Sequence, residues 1–399
     1  MKKVYLVCNG CDRRLLDSSR LENYFIANGY EMAGSPSNAD YIIFVTCAFN
    51  ESKEKDCFKL ISGYSRFNAE LIVLGCLPEI SPGKFKRIFK GRYIPTKNMS
   101  QIDRLFGRSE GEFLKIPDTN FIYRDIPLLT KLMTKFEASK DFCYKLIIAA
   151  GYKVRNFREP VNCSRNRRGA YLRIGSGCSM KCSYCAIRNA VGELKSKPLD
   201  ICLQEYAGLI KTGYDNIVIV ADNVGAYGLD IGVSFADLMN EMSKIDTAAE
   251  TRWIISELHP VWVRKYRNEL YEKIADGKII EILCPVQSGS DRILGLMNRD
   301  VTKEEIIEIL SSFRNVNREL KLITDIILGF PTATEEDFSA TIDLIKKVRF
   351  DLVNFFTYAE REGTLISGIS HKVSRDIMTR RLKTAVRTLR KDKIEVLYL

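Results

Sequence analysis

Short apolar runs alternate with helix-like stretches along most of this 399-residue chain, and this alternation limits its fold more than any other feature. Within the first ninety residues, three apolar, β-branched runs occupy 4–8, 41–46 and 71–74. A segment with apolar residues at helical spacing lies between the first two, over 16–28, and is stopped by Gly29. The β-α-β order predicts a parallel sheet with right-handed crossover connections.

A second alternating series begins at Ala170. Its strand-like runs cover 170–174, 216–221, 252–256, 279–284, 322–327 and 352–358. Six repeats are too few for a closed eight-stranded barrel, so we expect a partial barrel with its site at the carboxyl ends of the strands. The predicted fold class is therefore α/β, with an N-terminal parallel-sheet domain followed by a partial (β/α)6 barrel.

The domain organisation that we expect has four parts. They are an N-terminal domain over 1–91, a linker with inserted helices over 92–168, the partial barrel over 169–370 and an amphipathic helix over 371–399. Within the linker, apolar spacing predicts helices near 128–136 and 142–147.

The cysteine content needs a chemical explanation. The chain has 12 cysteines but only two histidines. Its basic start contains the short apolar run VYLVC with no small-residue cleavage site, and no apolar run is long enough to span a membrane. We therefore expect a cytoplasmic protein, in which structural disulfides are rare. Clustered cysteines without histidines favour iron–sulfur ligation over zinc.

The sharpest motif is Cys178-x3-Cys182-x2-Cys185, which directly follows the first strand of the second series. Three thiolates on a short loop can hold three irons of a 4Fe–4S cluster and leave the fourth iron open. A structural zinc site would need four protein ligands, and no fourth partner is near in sequence. Three unrelated cysteines remain the alternative.

Cys11, Cys47 and Cys76 each follow one of the first three strands. Because parallel strands end at the same edge of a sheet, we predict that these thiols converge. Free cysteines are also often small buried hydrophobic residues, which is the alternative. The other cysteines are expected in the core or without a role; they are Cys8, Cys57, Cys143, Cys163, Cys202 and Cys284.

These motifs resemble those of the radical S-adenosylmethionine (radical SAM) methylthiotransferases over nearly the whole chain. The matching blocks are NGCDRRLLDSSRL, ADYIIFVTCAF, VLGCL, the Cys178–Cys185 loop, ADNVGAYGLD, CPVQSGSDRILGLMNRDVTKEE, TDIILGFPTATEEDF and YAEREGT. The resemblance implies an auxiliary 4Fe–4S cluster on Cys11, Cys47 and Cys76. It also implies a radical SAM cluster on Cys178, Cys182 and Cys185, with S-adenosylmethionine on its open iron.

The resemblance also implies a mechanism and further cofactor-binding residues. One S-adenosylmethionine methylates a cluster-bound sulfide, and a second yields a radical that removes hydrogen from the substrate carbon. Polar residues at the strand ends are expected to face S-adenosylmethionine, Tyr184 to lie near its adenine and Arg299 to bind a carboxylate. The candidates are Tyr184, Asn223, Ser256, Glu257, Gln287, Ser288 and Arg299. Helix caps and ion pairs use the same residue types.

The substrate is the least determined part of the prediction. The net charge is +11, with +6 in each of the segments 153–173 and 371–399, which suits a polyanion or an acidic peptide. The chain departs from the family pattern at Arg14, where Asn is common, and no RNA-binding β-barrel follows the last helix.

We therefore favour a peptide or protein side chain as the substrate, with a modified adenosine of tRNA as the alternative. A reducing electron donor and a sulfur source are expected partners. A radical SAM enzyme that uses the second cluster only as an electron relay, and a non-enzymatic iron–sulfur module, are the rival functions.

Overall fold

The computed structural model describes residues 1–121, 169–245, 251–369 and 371–398. The helices predicted near 128–136 and 142–147, together with Cys143 and Cys163, lie outside these residues. In the described part of the chain, no helix combines the length and the apolar character needed to cross a bilayer.

Five parallel strands form the N-terminal sheet, in the spatial order β2-β1-β3-β4-β5. The strands are β1 (Lys3–Cys8), β2 (Glu31–Met32), β3 (Tyr41–Thr46), β4 (Glu70–Gly75) and β5 (Tyr93–Pro95). The three predicted strands are confirmed, whereas the two short outer strands carry too few residues for a recognisable apolar run.

Helices cover both faces of this sheet. They are α1 (Asp12–Ala27), α2 (Glu51–Tyr64), α3 (Leu77–Ile80), α4 (Pro82–Ile88), α5 (Ile102–Leu105) and α6 (Glu112–Lys115). Strand β5 lies beyond the boundary predicted at residue 91, and Met99, Ile102 and Phe113 are buried in the same core as α1. The first part of the predicted linker, through α6, therefore belongs to the N-terminal domain.

The second sheet contains seven parallel strands among the described residues, in the order β6-β9-β10-β11-β12-β13-β14. They are β6 (Gly169–Arg173), β9 (Asn216–Val220), β10 (Arg252–Ile255), β11 (Ile279–Leu283), β12 (Lys321–Leu328), β13 (Leu352–Thr357) and β14 (Glu395–Tyr398). The first six confirm the predicted series. The spatial order of all seven strands follows their order in the chain without a reversal, as in an open barrel, so the strands share one carboxyl edge.

A short antiparallel pair and nine helices complete the described part of this half. The pair is β7 (Gly175–Ser176) and β8 (Lys195–Ser196). The helices are α7 (Ile187–Val191), α8 (Leu199–Lys211), α9 (Phe235–Ile245), α10 (Pro260–Lys265), α11 (Arg267–Ala275), α12 (Asp291–Leu296), α13 (Lys303–Val316), α14 (Glu335–Val348) and α15 (Arg375–Lys391).

The prediction of a single helix over 371–399 is wrong at the carboxyl end of this segment. Helix α15 stops at Lys391, and the chain then adds β14 beside β13. Lys393 has a positive φ of 61°, which turns the chain back towards the sheet. Val396 is buried in this strand. The burial of its apolar side chain favours the strand over a continuation of helix α15.

Gly75 shapes the backbone just before Cys76. Its φ is +109°, and a Cβ atom there would lie 2.3 Å from the carbonyl oxygen of Thr46 on the neighbouring strand. Only glycine therefore lets β4 end this close to β3, which brings Cys76 next to the loop that carries Cys47.

We expect Gly75→Ala to lower the stability of the chain more than Gly29→Ala does. Gly29 has a similar φ of +81° but nothing within 4 Å of the added atom. The backbone penalty of about 1–2 kcal/mol should apply to both variants, and overpacking should add about 1–3 kcal/mol at Gly75 alone. Urea unfolding under anaerobic conditions measures both, and equal losses would contradict the assigned clash.

Candidate functional site

The structure brings Cys11, Cys47 and Cys76 together at the carboxyl edge of the N-terminal sheet. The thiols of Cys11 and Cys47 lie within hydrogen-bonding reach of each other, and Cys76 lies within electrostatic reach of both. The backbone N–H of Cys47 donates to Asn9 Oδ1 at 3.3 Å, and the backbone N–H of Cys76 donates to the Thr46 carbonyl at 3.1 Å. Loops after three different strands thus converge as predicted.

These three thiols differ in acidity. The hydrogen bond from Cys47, together with the guanidinium groups of Arg13 and Arg14, outweighs burial and lowers the pKa of Cys11 to about 5. The same hydrogen bond, followed by burial, raises the pKa of Cys47, while burial raises the pKa of Cys76. Within this set, Cys11 is therefore the thiol whose surroundings favour the thiolate form.

Cys178, Cys182 and Cys185 lie in the loop between β7 and α7. The Sγ of Cys178 accepts a hydrogen bond from the backbone N–H of Met180, and the Sγ of Cys185 accepts one from the backbone N–H of Ile187. Burial raises the pKa of Cys185 to about 12, and its sulfur lies within electrostatic reach of the other two. The loop is thus held by its own backbone, with its sulfurs grouped.

His259 faces this second cysteine set and was missed by the sequence analysis. Its Nε2 lies 3.9 Å from the Sγ of Cys182, and its Nδ1 accepts the backbone N–H of Val261 at 3.2 Å. Burial and then the charge of Arg299 lower the pKa of His259 to about 2, so the ring is neutral and Nε2 carries the proton. The sequence signal that could have indicated a role for His259 was its position shortly after strand β10.

Arg13 joins the two cysteine-bearing edges. Its Nε lies 3.1 Å from Asp222 Oδ1, and its Nη1 lies 3.3 Å from Glu257 Oε1. The other oxygen of Asp222 accepts the backbone N–H of Gly177 at 2.9 Å. One carboxylate at the end of β9 therefore connects the residue before Cys178 with a residue two positions after Cys11.

The other two N-terminal cysteine loops also contact the second half of the chain. Arg361, after β13, donates to the carbonyl of Ala48 at 3.1 Å and forms a buried ion pair with Glu54. Helix α3, which follows Cys76, packs against α7, which follows Cys185, and both contribute to one buried cluster. Each of the three loops is therefore tied to the carboxyl edge of the second sheet.

Several predicted cofactor residues lie at this edge, but not all have free polar atoms. The Oε1 of Gln287 is buried without a partner in the described structure, and this residue has a φ of 69°. Asn223 receives the Trp262 Nε1 hydrogen at 2.9 Å, and Ser288 accepts the backbone N–H of Ser290 at 3.2 Å. Gln287 is thus the candidate best prepared for a ligand, whereas the contacts of Asn223 and Ser288 hold the protein itself together.

Arg299 makes two hydrogen bonds within the protein and keeps a buried Nε without a partner in the described residues, so its carboxylate contact stays a prediction. Its Nη1 donates to the Tyr184 hydroxyl at 2.8 Å, and its Nη2 donates to the Pro285 carbonyl at 2.5 Å. Glu257 is likewise engaged by Arg13, while Ser256 continues the sheet through its backbone N–H. Arg299 therefore orients Tyr184 beside Cys185, because a buried guanidinium needs internal acceptors.

The donor sets fit iron–sulfur clusters better than single metal ions. Among the described residues, no three His, Cys, Asp or Glu side chains converge on the position of one metal ion. In a cubane each cysteine binds a different iron, so its ligands surround a cluster rather than a point. Three thiols in each set also leave one iron for an exogenous ligand, which is the chemistry expected from the sequence.

Two family models match the chain. The model described as "Radical SAM superfamily" matches residues 172–345, and the model described as "Uncharacterized protein family UPF0004" matches residues 3–94. The two matched ranges contain the two cysteine sets, one in each.

Curated relatives match most of the chain. A "Probable threonylcarbamoyladenosine tRNA methylthiotransferase" of Pyrococcus horikoshii is 32% identical, over 92% of this chain and 79% of that protein. A "tRNA-2-methylthio-N(6)-dimethylallyladenosine synthase" of Aquifex aeolicus is 28% identical, over 96% of this chain and 82% of that protein.

Solved structures share the fold at low sequence identity. The radical S-adenosylmethionine methyltransferase TsrM of Kitasatospora setae superposes with a TM-score of 0.61 at 13% identity, covering 92% of this chain and 77% of that chain. The radical enzyme OxsB superposes with a TM-score of 0.54 at 13% identity, covering 97% of this chain and 56% of that chain.

We expect a strong energetic coupling between Arg13 and Asp222. The side chains are 15% and 4% exposed, so removal of one leaves a desolvated charge on the other. A double-mutant cycle with Arg13→Met and Asp222→Asn should give a coupling of about 1–3 kcal/mol in anaerobic unfolding. The amide of Asp222→Asn can still accept the Gly177 hydrogen bond.

The exposed pair Lys115 and Glu112 is the control for this cycle, with side chains 71% and 36% exposed. Its coupling should stay below about 0.5 kcal/mol. A similarly small coupling between Arg13 and Asp222 would show that this contact does not join the two sheets.

Proposed function

Because the chain belongs to the radical SAM methylthiotransferase family, we propose that it replaces a C–H bond of an N6-modified adenosine in tRNA with a C–SCH3 group. The relatives are named for tRNA substrates, which favours this alternative over the peptide or protein side chain expected from the sequence. The observation that carries the proposal is the direct connection between the two cysteine-bearing edges through Arg13, Asp222 and Gly177.

In this proposal Cys178, Cys182 and Cys185 hold the radical SAM cluster, and Cys11, Cys47 and Cys76 hold the auxiliary cluster. Bound there, the two clusters supply the reductive cleavage of S-adenosylmethionine and a site for the sulfur that is transferred. An electron donor and a sulfur donor are therefore required partners. The donor set and the grouping of each trio of thiols support this assignment.

The protein contributes orientation and an environment for these groups. Asp222 binds a backbone N–H next to Cys178 and the side chain of Arg13, so it sets the separation of the two loops. We propose that the free Oε1 of Gln287 accepts a hydrogen bond from S-adenosylmethionine. The Nε2 of His259 lies 3.9 Å from the Cys182 sulfur, so we propose that His259 orients this cluster ligand.

The exposed face of α15 supports the choice of RNA. Arg380, Lys383, Arg387 and Arg390 are all exposed and recur at spacings of three and four, so they form one stripe along the helix. Arg380 pairs with Glu335, whereas the other three have no ion pair in the described residues. Three cations without an ion pair at regular spacing on one helix face suit a phosphate backbone.

The stripe starts near the proposed active site. Met378, in the first turns of α15, packs on Gly329 just after the end of β12, and Arg375 pairs with Glu51 in the helix that follows the Cys47 loop. The stripe then runs away from this edge for about 15 Å, at 1.5 Å per residue. RNA bound along it would have one end at the cluster edge.

Cysteine variants test the two cluster roles separately. We expect Cys182→Ala to abolish the formation of 5′-deoxyadenosine from S-adenosylmethionine, and Cys47→Ala to retain that reaction but lose the methylthio product. Each variant should bind about four irons per chain instead of about eight after anaerobic reconstitution. Cys202→Ala, which removes a buried core thiol, is the control and should keep both reactions. Methylthiolated product from Cys47→Ala would refute the auxiliary-cluster role.

Neutralising the stripe tests the RNA substrate. The double variant Lys383→Gln and Arg387→Gln should bind tRNA more weakly, and the slope of log K against log salt should become shallower by about 1.5. Lys244→Gln, which removes a lysine 70% exposed on α9, is the matched control and should leave the slope unchanged. Mass spectrometry of tRNA nucleosides should show the added SCH3 group. Salt-insensitive binding, or thiolation of a peptide alone, would refute the proposal.

A further inference from the structure

Arg14 is a buried cation with unused hydrogen-bonding capacity. Its side chain is 3% exposed, and its Nη1 has no hydrogen-bond partner in the described structure. A buried guanidinium nitrogen without an acceptor is costly, so it usually indicates a missing anionic or polar partner.

The geometry places Arg14 against the N-terminal cysteine set. Cys11 caps the start of α1, and Arg14 lies one turn later on the same face of that helix. Its Nε lies 3.1 Å from Asp17 Oδ2. A Cβ atom on Gly10 would lie 2.3 Å from Arg14 Cβ, so the side chain packs directly on the loop that precedes Cys11.

The charge of Arg14 acts on two of the three thiols. Cys11 and Cys76 both lie within its electrostatic reach, as do Asp17 and Asp222. Asp17 is shared with Arg173, whose Nη1 lies 2.7 Å from Asp17 Oδ1, and Asp222 is bound by Arg13. The Oδ1 of Asp17 and both oxygens of Asp222 are therefore engaged, while Asp17 Oδ2 lies near Arg14 Nε without a hydrogen bond. Nη1 of Arg14 keeps its donors for another acceptor.

Two neighbouring arginines at this junction, Arg13 and Arg173, have acceptors for their buried guanidinium groups. Arg13 is bound by Asp222 and Glu257, and Arg173 is bound by Asp17 and the carbonyl of Arg13. Neither has a buried nitrogen without a partner, in contrast to Arg14. Among these three arginines the spare donor thus belongs to Arg14, which lies within electrostatic reach of both Cys11 and Cys76.

We propose that Arg14 binds the anionic sulfur ligand, hydrosulfide or methanethiolate, at the iron of the auxiliary cluster that no cysteine holds. This inference rests on the proposed function, because it requires that cluster. Three thiolates make the cluster site anionic, and a further sulfur anion adds negative charge in a buried environment. A guanidinium that donates charge-assisted hydrogen bonds offsets this repulsion.

The test is hydrosulfide binding to the full-length chain after anaerobic reconstitution. Sodium hydrosulfide is titrated against wild type and Arg14→Met, and the electron paramagnetic resonance signal of the reduced auxiliary cluster is followed. The triple variant Cys178→Ala, Cys182→Ala and Cys185→Ala serves as a second background, in which only this cluster contributes. We expect Arg14→Met to weaken hydrosulfide binding roughly 10- to 100-fold, the loss typical of a charge-assisted hydrogen bond.

Three controls separate charge from structure. Arg14→Lys should restore part of the affinity, and the neutral ligand imidazole should bind wild type and Arg14→Met alike. Arg20→Met removes another arginine of α1, one that pairs with Asp118, and should leave hydrosulfide binding unchanged. Arg14→Asn, which carries the residue common in the family, replaces Arg14→Met if that variant does not fold.

The outcomes distinguish this inference from the proposed function. Equal hydrosulfide affinity for wild type and the Arg14 variants, at an iron content of about eight per chain, would overturn the role of Arg14 and leave the proposed function standing. An iron content of about four per chain in the wild type, unchanged by Cys47→Ala, would overturn the auxiliary cluster itself and with it this inference.

Discussion

The Asp222 carboxylate is the contact on which the arrangement of the site depends. It ends a strand of the second sheet, yet one oxygen meets Arg13 of the first domain and the other meets the backbone of Gly177. Two parallel sheets each bring their functional loops to one edge, but nothing within either sheet decides how those edges face each other. A buried ion pair between the two loops supplies that orientation, because separating its partners would leave uncompensated charges in a desolvated environment.

Positive charge is concentrated where the first domain meets the second. Arg13, Arg14 and Arg173 lie around the N-terminal thiols, with Asp17 and Asp222 between them. This arrangement favours thiolates and other anions at the cysteine set, as the lowered pKa of Cys11 illustrates. The second set has the buried guanidinium of Arg299 within electrostatic reach of Cys182, together with neutral His259 and backbone N–H groups. Both sets of thiols therefore have buried guanidinium groups nearby, and the first set has more of them.

Much of this architecture was predictable because it depends on local patterns. Strands β1, β3 and β4 and six strands of the second sheet follow from apolar runs, and the convergence of Cys11, Cys47 and Cys76 follows from parallel topology. Strand β14 was not predictable in the same way. Its four residues pair with the edge of β13, and that edge is available only after the rest of the sheet has assembled. The internal contacts of Arg299 were not predictable for a similar reason, since its acceptors, Tyr184 and the Pro285 carbonyl, come from other loops.

By itself, the sequence determined the α/β class, the two cysteine trios and the family, because spacing along the chain encodes strand ends and ligand loops. Only the tertiary structure decided which polar side chains remain free. Gln287 and Arg14 keep buried atoms without partners, whereas Glu257 and Ser288 are used by neighbours distant in sequence or across a turn. The physical reason is that hydrogen-bond satisfaction is set by all elements that meet at a point, and no single segment of the chain contains that information.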